Sequence, residues 1–139
     1  MNPQADIRWQ QRLVNFDRAL RLLREAMANG PEALNQLEKE GVIQRFKYCF
    51  ELARKTVGDY MEASGFVFGV VVPRQVIKNA FATKVLEDGA TWMAMLDHRN
   101  LLSHTYNPAV FEQAVAAIHQ RYLPGLEQLH AFLQKEAVP

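Results

Sequence analysis

The stretch WQQRLVNFDRALRLLREAM, running from Trp9 to Met27, decides the fold class. Trp9, Leu13, Phe16, Leu20, Leu23 and Met27 recur at alternating steps of four and three, which lays a single apolar stripe along a helix of about 3.6 residues per turn. Arg8, Arg12, Arg18, Arg21 and Arg24 fall off that stripe, with Asp6, Asp17 and Glu25 among them. Mixed signs spread around the cylinder describe a solvated face better than an RNA-binding ridge. Asn29-Gly30-Pro31 stops the helix.

Downstream, Phe46, Cys49, Phe50, Ala53, Val57, Tyr60 and Met61 form a second stripe, closed at Ser64-Gly65, where glycine can take the left-handed C-terminal position. Phe66 to Val72 has the β-propensity of a strand, but no second run offers it a partner, so it reads as a buried or interface-facing extended linker. Pro73 suits the first position of a short helix carrying Val76, Ile77, Ala80 and Phe81. A fourth helix opens at Asp88-Gly89, sends Trp92, Met95 and Leu96 inward, and must end near His104 because Asn107-Pro108 starts a new helix. The last helix carries Phe111, Val115, Ile118 and Tyr122, is kinked where Pro124 has no donor for the Gln120 carbonyl, and continues with Leu126, Leu129 and Leu133. The expected architecture is all-α, an up-and-down antiparallel bundle of four long helices and one short one.

The rest of the sequence bounds function. With 139 residues, the chain reads as a single domain spanning 1–139. Sixteen Lys and Arg against 15 Asp and Glu leave a net charge of +1, so no global field draws it to nucleic acid or an anionic membrane, and any RNA or phosphate contact must be local. The polar N-terminus has no signal-peptide character, no apolar run approaches the ~18 residues that span a bilayer, and one cysteine permits no internal disulfide. The cytoplasm, with no membrane association, is the expected location. Cys49 sits on the second stripe as a small core residue. There is no Gly-rich phosphate loop, no His-Glu-x-x-His and no Gly-x-Ser-x-Gly, and His98, His104, His119 and His130 form no i, i+4 ligand pair. Neither a metal nor a cofactor is expected.

What stands out is Arg99-Asn100-Leu101-Leu102-Ser103-His104-Thr105-Tyr106, a polar, cationic and imidazole-bearing run closing an otherwise apolar helix. It resembles the Arg, four residues, His, one residue, Tyr motif of HEPN-domain proteins, particularly those encoded beside a minimal nucleotidyltransferase. Arg45 to Ala53 with Lys55-Thr56, Pro73 to Ile77 with Ala80-Phe81, and Asp88-Gly89 through Trp92 are similar to the subgroup labelled nucleotidyltransferase substrate-binding proteins. The likeness covers most of the chain, from the first helix to Tyr122. One departure is Val72 before Pro73, where relatives tend to carry a Ser-Pro cap.

The resemblance implies a helical bundle that dimerises (a homodimer or a higher even oligomer), a metal-independent ribonuclease activity, and a cognate nucleotidyltransferase partner acting as antitoxin. The residues make chemical sense of it. A ribonuclease that leaves a 2′,3′-cyclic phosphate needs a base for the 2′-OH and positive charge for the phosphorane; His104 would be the base and Arg99 the clamp. Dependence on the 2′-OH would separate RNA from DNA without base reading. Asn100, four residues before His104, could fix the imidazole tautomer. Tyr106 is a plausible acceptor of AMP from the partner enzyme, as the resemblance implies, with Ser103 and Thr105 as rivals. The adenylate phosphodiester would compete for Arg99 and switch the nuclease off.

Spacing adds a constraint. On a straight helix, five steps of ~100° put Arg99 and His104 about 140° apart, so either the chain turns at Ser103-His104 or two protomers complete one cleft. On the residues alone, Arg at a helix C-terminus, capping Asn and Ser, and His beside a turn are ordinary structural features, and that reading is the stronger one. The family blocks reverse the order. The alternative from another class is a non-catalytic subunit that presents substrate to a separate nucleotidyltransferase.

Overall fold

The computed structural model describes residues 3–69 and 72–137, and no strand occurs among them. The chain folds as an up-and-down antiparallel helical bundle, built on the stripes seen in the sequence. Helix α1 (Pro3–Ala26) buries Trp9, Leu13, Phe16, Leu20 and Leu23, and Met27 follows just past its end. A 3-10 turn (Pro31–Ala33) leads into α2 (Gln36–Ala63), which packs along α1 as a long hairpin.

Helix α2 begins well before Phe46, where the apolar stripe starts. Asn35 and Glu38 form a reciprocal cap: the Glu38 amide donates to Asn35 Oδ1 at 2.8 Å and the Asn35 amide donates to Glu38 Oε1 at 2.9 Å. The first turn is polar and exposed, so it leaves no hydrophobic period; Val42 and Ile43 then extend the buried face. At the far end Gly65 takes φ +97°, the left-handed turn expected of it. Cys49 is fully buried, and desolvation pushes its thiol far above the ordinary range, as befits a packing residue.

Of the extended segment, Phe66 and Phe68 pack ring to ring with centroids 4.8 Å apart, while Val67 stands in the open. Val70 and Val71 lie outside the described residues. Helix α3 (Pro73–Ala82) buries Val76, Ile77 and Ala80. Phe81 departs from that expectation: it is half exposed and lies flat over Gly89, where a Cβ would come within 2.9 Å of the ring. It closes the α3–α4 corner instead of filling the core.

Asp88 caps α4 (Gly89–Leu102), its carboxylate accepting from the Thr91 amide at 3.1 Å and the Thr91 hydroxyl at 2.7 Å. Helix α5 (Pro108–Ala117) runs through a π-helical turn (Ile118–Tyr122) into α6 (Leu123–Ala137) without a break. The expected proline kink is therefore absorbed by widening the helix: Leu123 donates to the Ile118 carbonyl, five residues back, next to Pro124, which has no amide proton to donate. The wide turn seats Tyr122 in the core, stacked on Phe46 at 5.4 Å, while Phe50 meets Trp92 at 6.0 Å. These rings tie α2 to α4 and to the α5–α6 rod.

Several α1 arginines act between helices. Arg24 forks onto Glu127 of α6 at 2.8 and 2.9 Å, and Arg12 meets Asp59 of α2 at 3.1 Å.

Candidate functional site

Helix α4 ends at Leu102, earlier than His104, and the chain turns there. The Ser103 amide and hydroxyl both go to the Arg99 carbonyl, the hydroxyl at 3.0 Å, and the His104 amide donates to the Leu101 carbonyl at 3.1 Å. Asn107 then caps α5, accepting from the Ala109 amide at 2.8 Å, and Pro108 occupies its first turn. The turn between α4 and α5 thus presents His104, Thr105 and Tyr106 at one end of the bundle.

This turn forms one wall of a groove of about 470 Å³, within the size range of small-molecule sites. Helix α2 supplies the facing wall with Glu40, Ile43, Gln44 and Lys47; Phe111 of α5 lies under it. His104 is exposed along the groove. Tyr106 is 78% exposed, sets its ring edge-on against Phe111 at 5.3 Å, and donates its hydroxyl to Glu40 Oε1 at 3.1 Å. That hydrogen bond to a carboxylate, reinforced by the charge of Glu40, raises the Tyr106 phenol above its ordinary value.

Arg99 stands one turn further along α2, beside Glu51. Its guanidinium meets Glu51 Oε1 at 2.7 Å and donates to Asn100 Oδ1 at 3.0 Å; the other Glu51 oxygen accepts from Arg54 at 2.7 Å. The Arg99 side chain keeps 30% of its surface in solvent. Asn100 bonds Arg99 and, among the described residues, makes no hydrogen bond to His104. The expected Asn100–His104 contact assumed that helical register persists to 104, and the end of α4 removes it.

The structure therefore groups Arg99 with Asn100, and His104 with Tyr106, with Lys47 and Glu51 marking adjacent turns of α2. Sequence reasoning missed the α2 residues. A signal existed: Glu40, Gln44, Lys47, Glu51 and Arg54 step by four, three, four and three, a polar stripe with the same period as the apolar one. His98, also passed over, is half buried, with Nδ1 facing the Tyr122 hydroxyl; burial and then Arg121 hold its pKa below the ordinary value.

Residues 11–135 match the family described as "Nucleotidyltransferase substrate binding protein like". The chain belongs to that family. Among solved structures, it is similar to a protein from Thermus thermophilus, 28% identical, covering 89% of this chain and 99% of that one with a TM-score of 0.70. It is also similar in fold to the tri-AMPylated Shewanella oneidensis HEPN toxin solved in complex with an MNT antitoxin, 14% identical, covering 97% and 99% of the two chains, TM-score 0.73. No curated protein matches it. The fold of this substrate-binding-protein-like chain is thus the HEPN helical bundle, and the Arg99 to Tyr106 segment sits in it at the end of α4. None of its described helices is long and apolar enough to cross a membrane.

Proposed function

We propose that this chain is the toxin of a HEPN–nucleotidyltransferase toxin–antitoxin pair: a cytoplasmic, single-domain, metal-independent ribonuclease that works as a homodimer and is inhibited by AMP transfer to Tyr106. The observation that carries the reading is the position of exposed His104 and partly exposed Arg99 on either side of one helix end, in a chain of this family. His104 takes the proton from a ribose 2′-OH as that oxygen attacks the adjacent phosphorus; the P–O5′ bond breaks, and the 5′-oxygen leaves with its electron pair and takes a proton from solvent. Arg99, always charged, stabilises the dianionic phosphorane, and Glu51 and Asn100 hold its planar fork in place. With a net charge of only +1 on the chain, Arg99 and Lys47 supply the local positive charge that RNA requires. The test is RNA cleavage by the purified protein in chelator. Cleavage that leaves 2′,3′-cyclic ends and disappears in His104→Ala supports the reading; no cleavage by the wild type rejects it.

A second reading is supported by the family description and by the pairing of Arg99 with Glu51. A guanidinium already neutralised is less available to a scissile phosphate, and the groove would then serve to present a substrate to a separate nucleotidyltransferase. That reading expects wild-type protein inert toward RNA, with binding of the partner enzyme intact.

A further inference from the structure

The turn after α4 carries three hydroxyl groups, those of Ser103, Thr105 and Tyr106, and the exposed Tyr48 of α2 offers a fourth for comparison. Their surroundings differ. Ser103 donates its hydroxyl proton to the Arg99 carbonyl, which cannot carry that proton away in a reaction. Tyr48 is 64% exposed, and neither it nor the partly buried Thr105 has a carboxylate partner among the described residues. Tyr106 alone of the four donates to a carboxylate, Glu40 Oε1, at 3.1 Å. Glu40 itself has no cationic partner among the described residues; its neighbour Lys39 is engaged with Glu112. This carboxylate, already hydrogen-bonded to the attacking oxygen, is at the distance that proton transfer needs.

From this geometry we infer that Glu40 is the general base that makes Tyr106, and not its neighbours, the acceptor of a nucleotidyl group. The inference rests on the proposed reading of Tyr106 as the modified residue. In the step, the Tyr106 Oη attacks the α-phosphorus of a nucleoside triphosphate supplied with the partner enzyme. The Oη–P bond forms, the bond from the α-phosphorus to its bridging oxygen breaks, pyrophosphate leaves with that electron pair, and the phenolic proton passes to Glu40 Oε1. Because the same hydrogen bond raises the phenol's pKa, phenolate is scarcer at neutral pH than for a free tyrosine, and removal of the proton during attack matters more. Lys47 and His104 line the same groove as Tyr106.

The experiment has two arms. In the first, which needs no partner, the Tyr106 phenol of the full chain is titrated by NMR in wild type and in Glu40→Gln. The expected result is a pKa above that of a free tyrosine in wild type that falls in the variant; an unmoved titration overturns the inference, since the contact is then absent in solution. In the second, the cognate minimal nucleotidyltransferase, ATP and magnesium are added and AMP on each residue is followed by mass spectrometry across pH. Glu40→Gln is expected to slow labelling of Tyr106 by roughly 100-fold or more at neutral pH, with the two rates converging above about pH 10, where the phenol ionises without help. Glu40→Asp should recover part of the rate, and Tyr106→Phe none. Equal rates in wild type and Glu40→Gln overturn the role of Glu40 and leave Tyr106 as the acceptor. Wild-type protein that is labelled elsewhere, or not at all, rejects the acceptor reading itself, and Glu40 with it.

Discussion

Glu51 holds two guanidinium groups at once, Arg99 at 2.7 Å through one carboxylate oxygen and Arg54 at 2.7 Å through the other. One charge on α2 therefore fixes the cation at the end of α4 and satisfies a second cation on its own helix. Arg54 is the more enclosed, with 18% of its side chain in solvent. Glu51→Ala should leave it uncompensated and lower stability by about 1–3 kcal/mol, read as a shift in urea midpoint. The same change frees the Arg99 fork, so cleavage should fall through kcat while RNA binding holds. An unchanged kcat would show that Arg99 needs no help from Glu51.

The Asn35–Glu38 cap is the point at which α2 is set in register. Asn35→Ala removes the acceptor for the Glu38 amide and should cost about 1 kcal/mol, visible as a lower Tm, with fraying confined to the first turn. Because Glu40 follows that turn directly, the Glu40 edge of the groove should loosen while Lys47, Arg99 and Glu51, further along, stay as they are. Amide exchange along α2 would separate the two effects.

His98 gives stability a defined pH dependence. Its pKa is lowered in the folded protein by burial and then by Arg121, so the unfolded chain binds the proton more readily. The contribution is therefore complete above the unfolded value of about 6.5 and is lost as pH falls from there toward the folded value. The Tyr122 hydroxyl faces Nδ1, which accepts only while the ring is neutral. Thermal melts from pH 8 to pH 5 should show the wild type losing Tm in the acid range, and His98→Gln losing less of it. Parallel curves would remove His98 as the source.

The helices themselves were legible because burial leaves a period. Each residue of the α1 stripe is inside, as are Phe111, Val115, Ile118, Tyr122, Leu126, Leu129 and Leu133 of the last rod. What lacked a period was less visible: the polar first turn of α2, and the π-helical turn, which keeps Tyr122 facing inward while adding one residue to the repeat. In the candidate site the sequence supplied Arg99, Asn100, His104 and Tyr106 because they are contiguous. Glu40, Lys47 and Glu51 meet them only through α2 packing, and a polar stripe does not announce which side chains it will face. The Asn100–His104 pairing failed for a related reason: i, i+4 spacing has meaning only inside a helix, and α4 stops between them.

The angular conflict between Arg99 and His104 leads to the sharpest prediction. The end of α4 relaxes the 140° separation, but Arg99 still faces Glu51, whereas His104 opens onto the groove one turn away. If two copies of the chain complete each cleft, Arg99 comes from one and His104 from the other. Arg99→Ala and His104→Ala homodimers should then each lose about 10²–10⁴ in cleavage rate, as removal of a clamp or base requires. Mixed in equal amounts and allowed to exchange, half the dimers are hybrids, and each hybrid holds one intact cleft of two, so about a quarter of the wild-type rate should return. A cleft built within one chain predicts no recovery at all, because every protomer in the mixture lacks one group. Recovery near a quarter therefore identifies a shared site, and its absence in mixtures shown by mass spectrometry to contain hybrids assigns both groups to a single protomer.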